Sequence, residues 1–193
     1  MKEKNLIRKD YFKIRKALRE EEVTLESKKI CDNFTNNLLP NIKLDPACLF
    51  SLYFSAYNEV DNSLIADEFE KRGIAFSYPK ILAKNSALKF LPFSKTAIII
   101  NSNIYKDVKE IDGNNFVEPN FLIIPLVSFD SNKMRLGMGG GFFDKTIENL
   151  KKKNSSLVTI GLAYDFQLFS GDLPSQIHDK KLDYVVTQTR IFS

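Results

Sequence analysis

Apolar residues along this chain change period several times, and each change marks an element. Ile7, Tyr11, Ile14 and Leu18 recur at helical spacing, which predicts a helix over residues 4–22 with that stripe buried. Lys4, Arg8 and Arg15 fall outside the stripe, on a face free to meet solvent or a ligand. Thr24 fits the N-cap of a second helix reaching about Leu39, with Ile30, Phe34 and Leu38 inward and Pro40 as its stop. Residues 48–54 read as a first buried strand. Asp61 or Ser63 starts a helix to Arg72, closed by Gly73. Residues 75–78 and 88–93 read as strands. Residues 94–118 give the weakest pattern, because Asn101, Asn103 and Gly113 interrupt the strand-like Ile98, Ile99 and Ile100. Residues 121–127 are apolar throughout and predict a central parallel strand, although Pro125 is unusual in one. A helix over 142–153 and strands over 157–163 and 183–187 follow. Strands alternating with helices imply an α/β fold.

Composition adds bounds. The chain has 193 residues, enough for one domain over 1–193 with a sizeable core. Hydrophobic residues make up 44% and charged residues 27%, an ordinary globular balance with no apolar run of membrane-spanning length. Residues 1–19 hold eight Lys or Arg against two acids, within a net charge of +4, which suits a polyanionic partner or a solvated helix face. Cys31 and Cys48 fit no metal or redox spacing and read as small buried residues. With a charged start lacking an apolar signal core, a reduced cytoplasm is the simplest setting.

The chemistry concentrates in Arg135-Leu136-Gly137-Met138-Gly139-Gly140-Gly141-Phe142-Phe143-Asp144. It lies between a predicted strand and a predicted helix. Glycines let the backbone take positive φ and approach a ligand, and N–H groups beside a helix start attract anions. Arg135 adds a fixed positive charge, and Asp144 a hard oxygen ligand of the kind magnesium takes. Neither the P-loop spacing nor G-x-G-x-x-G is present. On these grounds the loop is either a phosphate cradle or a tight turn packing a helix close to a sheet. His178, the one histidine, lies beside Asp179, but no nucleophile elbow or catalytic cysteine setting supports a proton relay.

The decapeptide resembles the nucleotide loop of the 5-formyltetrahydrofolate cyclo-ligase (5,10-methenyltetrahydrofolate synthetase) family. Arginine, glycines, aromatic pair and aspartate all fall in register, and the likeness extends over nearly the whole chain. It implies a three-layer sandwich with a mostly parallel sheet flanked by helices, of the NagB/RpiA/CoA transferase-like class. It implies ATP contacts from Lys4, Arg8, Arg135, Leu136, Gly137, Met138, Gly139, Gly140, Gly141, Phe142 and Phe143, with Arg135 and Lys4 in the catalytic role. Glu59, in the Glu59-Val60-Asp61 element, matches the glutamate that holds the folate, and a carboxylate suits the paired N–H donors of a pterin. Phe54 matches a position lining that pocket and, on its own, reads as core. Met138, Gly139, Gly140, Gly141 and Phe142 would also touch the folate, and Asp144 and Asp179 would bind Mg2+. Lys80, in Tyr78-Pro79-Lys80, is either near the phosphates or a surface lysine. Tyr164-Asp165-Phe166-Gln167 also matches the family. Gly140 stands where many members have lysine, so that one phosphate contact is either lost or replaced by Lys145, and Phe142 and Phe143 replace a tyrosine pair. Residues 94–118 depart from the family's G-I-x-E-P element, and no role is carried over there.

The implied reaction uses ATP to phosphorylate the formyl oxygen of 5-formyltetrahydrofolate, after which a folate nitrogen closes the ring and phosphate leaves. The nucleophiles belong to the substrates, which agrees with the shortage of His and Cys. Reduced folate and ATP are then the partners of a monomer, with no nucleic acid and no membrane. The rival from another class is a non-catalytic nucleotide- or RNA-binding module using the basic first helix, though no recognised RNA motif accompanies it. A sugar-phosphate isomerase or acyl-CoA transferase is a third reading, and would need a catalytic Glu at a strand end and no ATP.

Overall fold

The computed structural model describes residues 2–176 and 179–193. His178 therefore lies outside the described residues. Helices α1 (Lys2–Lys16) and α2 (Glu20–Asn33) lead through a short π turn and a 3-10 turn to strand β1 (Leu49–Ser51). Then come α3 (Ser63–Arg72), β2 (Ala75–Lys80), β3 (Lys89–Pro92), β4 (Ile99–Asn101), β5 (Lys109–Ile111) and β6 (Phe121–Pro125). The chain closes with β7 (Ser128–Phe129), β8 (Arg135–Leu136), α4 (Phe142–Lys153), β9 (Val158–Leu162), β10 (Tyr184–Val186) and β11 (Ile191–Phe192).

The main sheet runs β11-β10-β9-β6-β1-β2-β3. Its five inner strands are parallel, and β3 and β11 close the edges antiparallel. Along β6 the side chains alternate between two cores, as strand geometry requires. Phe121 and Ile123 join Ile30, Phe34, Phe50, Ile65 and Phe69, with helices α2 and α3. Leu122 and Ile124 join Ile147, Leu150 and Val185, with α4. The α/β expectation therefore holds, with helices on both faces of a mostly parallel sheet. Pro125 closes β6 in register with Leu162, at the strand's C-terminal end where its missing N–H is least disruptive. Both cysteines are buried, and burial pushes the Cys31 thiol up to about 12.

Order along the sheet fixes where a ligand goes. From β1 the chain moves outward to β2, whereas from β6 it moves the other way to β9 and β10. The C-terminal ends of β1 and β6 thus flank a switch in winding direction, where open α/β sheets form a crevice.

Several expectations need correcting. The first helix ends at Lys16 rather than at residue 22, and a break over 17–19 starts a new helix. Glu22, not Thr24, marks that start: its carboxylate accepts the Arg19 N–H at 2.9 Å. The inward face of α1 is also different. Ile14 is 50% exposed, and Arg15 is the buried residue of the helix at 1%. Lys4, Ile7, Arg8, Tyr11, Phe12, Arg15 and Leu18 share the covered face at helical spacing, so the cations belong to the stripe. Residues 128–136, expected as loop, form the β7–β8 hairpin. In the weak stretch, β4 and β5 pair as a separate hairpin. At the start of α3, Asp61 accepts the Ser63 N–H at 2.9 Å, and Gly73 ends the helix in the left-handed region.

Candidate active site

The β7–β8 hairpin delivers Arg135 and the glycine loop to the crevice beyond β6. Gly139 and Gly141 have φ of +99° and +64°, values that side chains resist, so glycine is required at both for the loop to turn into α4. Gly140 has another role. A Cβ there would lie 2.6 Å from the Phe142 ring, so the missing side chain makes room for the aromatic.

One cavity of about 740 Å³ lies on the α1 side of the loop, bordered by Lys4, Arg8, Arg135, residues 136–143, Asp144 and Asp179. The structure thus brings together every residue expected at the nucleotide. Arg8 Nε donates to Gly137 O at 2.7 Å, tying α1 to the loop. Lys4 donates to the Asp179 carboxylate, which also accepts the Gln176 N–H. Arg135, with a side chain 4% exposed, donates to Asp144 at 2.7 Å and to Lys180 O at 2.7 Å. Burial pulls its guanidinium down from the ordinary value, opposed by Asp144 and then Asp179. Lys145 also borders the cavity, while reaching Asn85 O. Lys80 lines neither cavity described here and donates to Gly113 O at 2.9 Å, as a structural lysine would. Among the described residues no three acidic, His or Cys side chains cluster as a ready metal cage.

A second cavity of about 610 Å³ lies beyond β1 and shares Gly137, Met138, Gly140, Phe142 and Phe143 with the first. Its lining is mostly apolar and aromatic, and includes Phe54, Glu59, Tyr57, Tyr105 and Leu126. Phe54 does two things at once: it borders the cavity and stacks on Tyr78, with ring centroids 4.2 Å apart. Burial raises the Glu59 carboxyl, while Arg15 and a bond from the Ala56 N–H oppose that rise. Tyr57 and Asn58 both take positive φ, so the turn presenting Glu59 is held in a conformation that side chains disfavour. Asn58 keeps it there by capping α1, donating to the carbonyls of Arg15, Lys16 and Leu18.

Sequence reasoning missed two contributors. Arg15 stands behind the wall of the second cavity, beside Glu59, and the β4–β5 hairpin lines that cavity through Tyr105, Val108 and Lys109. Arg15 was legible in principle, since 4, 8, 11, 15 and 18 form a helical face when charged residues are counted in. Tyr105, which packs edge-on against Phe142 at 5.9 Å, lay in the stretch with no clear pattern.

Known proteins resemble this chain over nearly its whole length. The sequence model of the 5-formyltetrahydrofolate cyclo-ligase family matches residues 1–188. A Mycoplasma pneumoniae 5-formyltetrahydrofolate cyclo-ligase is 30% identical over 190 residues, covering 95% of this chain and 98% of that protein. A Haemophilus influenzae protein of the same name is 45% identical over 65 residues, 34% of this chain, and the match spans only 33% of that protein. The solved Aquifex aeolicus 5,10-methenyltetrahydrofolate synthetase superposes with a TM-score of 0.79 at 27% identity, over 97% of this chain and 91% of that one. On the match over 188 residues and the full-length relative, this chain belongs to the 5-formyltetrahydrofolate cyclo-ligase family.

Proposed function

We propose that this chain converts 5-formyltetrahydrofolate to 5,10-methenyltetrahydrofolate with ATP, releasing ADP and phosphate. The observation that carries the reading is one glycine loop forming the shared wall of two cavities, one lined by cations and the other by aromatics around a carboxylate. The formyl oxygen attacks the γ-phosphorus and ADP leaves. The neighbouring folate nitrogen attacks the activated carbon, loses its proton, and phosphate departs with the former formyl oxygen. No enzyme nucleophile is needed, so the protein's work is alignment and charge neutralisation.

In this reading, N–H groups of residues 137–141 and the side chains of Lys4, Arg8 and Arg135 hold the triphosphate. Lys4 and Arg135 balance the charge that builds on the transferred phosphoryl group. Glu59 orients the pterin, and Phe54, Met138 and Phe142 pack its ring system. Asp144 and Asp179 are hard oxygen donors with too few neighbours to cage an ion alone, which fits Mg2+ completed by phosphate oxygens and water. Bound there, Mg2+ supplies charge neutralisation on the phosphates. We assign the sheet to the NagB/RpiA/CoA transferase-like class, in a single domain over 1–193 acting as a cytoplasmic monomer without nucleic acid or membrane. Among the described residues no helix is long and apolar enough to cross a membrane. The inward placement of Lys4, Arg8 and Arg15 favours a nucleotide over an RNA surface.

The test is direct. Pure protein with 5-formyltetrahydrofolate and magnesium-ATP should yield methenyltetrahydrofolate, followed by its absorbance. Absence of product, or product formed without ATP, would overturn the proposal.

A further inference from the structure

Arg15 has no assigned part in the reaction, yet it joins more parts of the site than any residue named so far. Its Nη1 donates to Leu126 O at 2.8 Å, just past the end of β6. Its Nε donates to Tyr57 O at 3.1 Å, in the turn that presents Glu59. Nη2 lies 3.7 Å from Glu59 Oε1 and 3.9 Å from Met138 Sδ of the glycine loop. The Phe12 ring covers the guanidinium with its centroid 5.5 Å away. An arginine that is 1% exposed is costly to bury unless its donors are used, and here a planar fork meets one strand end, one turn and one carboxylate.

We propose that Arg15 is a positioning residue, a clamp that fixes the folate carboxylate Glu59 relative to the glycine loop and the end of β6. It touches neither substrate: its burial places it behind the wall that the folate would meet. The inference rests on the cyclo-ligase reading of the site.

The groups facing Glu59 are Arg15 from α1, the Ala56 N–H within the turn, and the tyrosines Tyr53, Tyr57 and Tyr164 nearby, while the exposed Lys16 borders the same cavity. Arg15 is the cation paired with it. Removing it takes away the charge that opposes the burial-driven rise of the Glu59 carboxyl.

The experiment compares Arg15→Gln and Arg15→Lys with wild type, measuring KM for folate, KM for ATP, and the pH profile of kcat/KM for folate. Arg15→Gln is expected to raise the folate KM about tenfold, the scale of a charge-assisted hydrogen bond, with the ATP KM changed less than about threefold. It should also move the acidic limb of the profile to higher pH, because the free enzyme's carboxylate sets that limb. Arg15→Lys keeps the charge but loses the fork, so the limb should stay while the folate KM still rises about threefold or more. A purely structural arginine would lower the melting temperature and the active fraction while leaving KM and the limb in place, and that result overturns the inference. Should Arg15→Gln fail to fold, Arg15→Lys decides, and an unchanged folate KM there overturns it. Inactive wild-type protein in the same assay would instead count against the cyclo-ligase reading.

Discussion

The two halves of the cleft are built on different principles. On the nucleotide side, charges are many and already matched to one another: Lys4 with Asp179, and Arg135 with Asp144. Under the proposed reading, a triphosphate and its cation would enter by partner exchange, each side chain trading one counter-charge for another. The cavity beyond β1 has one carboxylate, Glu59, backed by the buried Arg15 guanidinium, a wall of aromatics, and the exposed Lys16 and Lys109 at its border. The Arg15–Glu59 pair there is buried, so under the proposed reading its geometry is set in advance. Under the proposed reading, the difference means that the phosphate end tolerates more rearrangement than the pterin end.

Three sets of substitutions sharpen or break that contrast. The largest effect belongs to Arg135→Ala, which removes a phosphate charge and strips Asp144 of its partner. Its kcat/KM should fall about 100-fold or more, read from methenyl absorbance, on the scale of losing one transition-state charge donor. Retained activity would move the phosphates away from the loop. Next come Glu59→Gln and Asp144→Asn, which should separate the halves. The first should raise the folate KM roughly tenfold to a hundredfold with little change in the ATP KM. The second should raise the ATP KM about tenfold and leave folate affinity nearly intact. If either change moved both constants equally, the two halves would be one site and the contrast would fail.

Glu59→Gln also carries a pH signature. The folded carboxyl sits above its unfolded value because of burial, so its stabilising contribution is whole below the unfolded value of about 4.3 and is lost as pH rises through the folded one. The melting temperature of Glu59→Gln relative to wild type should therefore climb over that rise, as followed by thermal denaturation at stepped pH. The smallest effect is that of Gly141→Ala. No atom lies within 4 Å of the added methyl, so only the left-handed backbone resists it, at a cost of about 1 kcal/mol and a few degrees of melting temperature.

Much of the sheet could be read in advance because its strands are buried on both faces. Continuous apolar runs such as residues 121–127 and 157–163 have no other stable home in a chain of this size. The glycine loop was legible for a different reason: positive φ demands glycine, and the demand shows in the letters. Apolar residues alone do not mark the inner face of the first helix. Its inner face holds Lys4, Arg8 and Arg15 since it packs on the glycine loop and a charged cavity and not on a purely apolar core. The β7–β8 and β4–β5 hairpins were hidden for want of length, with strands of two or three residues carrying no measurable period.

Gly140 and Phe142 make a linked choice. The ring occupies the volume where a longer side chain at 140 would start, and Tyr105 of the β4–β5 hairpin leans on that ring from above. Grafting a lysine into this bend would therefore shove the phenyl group, and the phenyl group would shove the hairpin. Whoever wishes to place a cation at this bend must redesign the roof along with the floor.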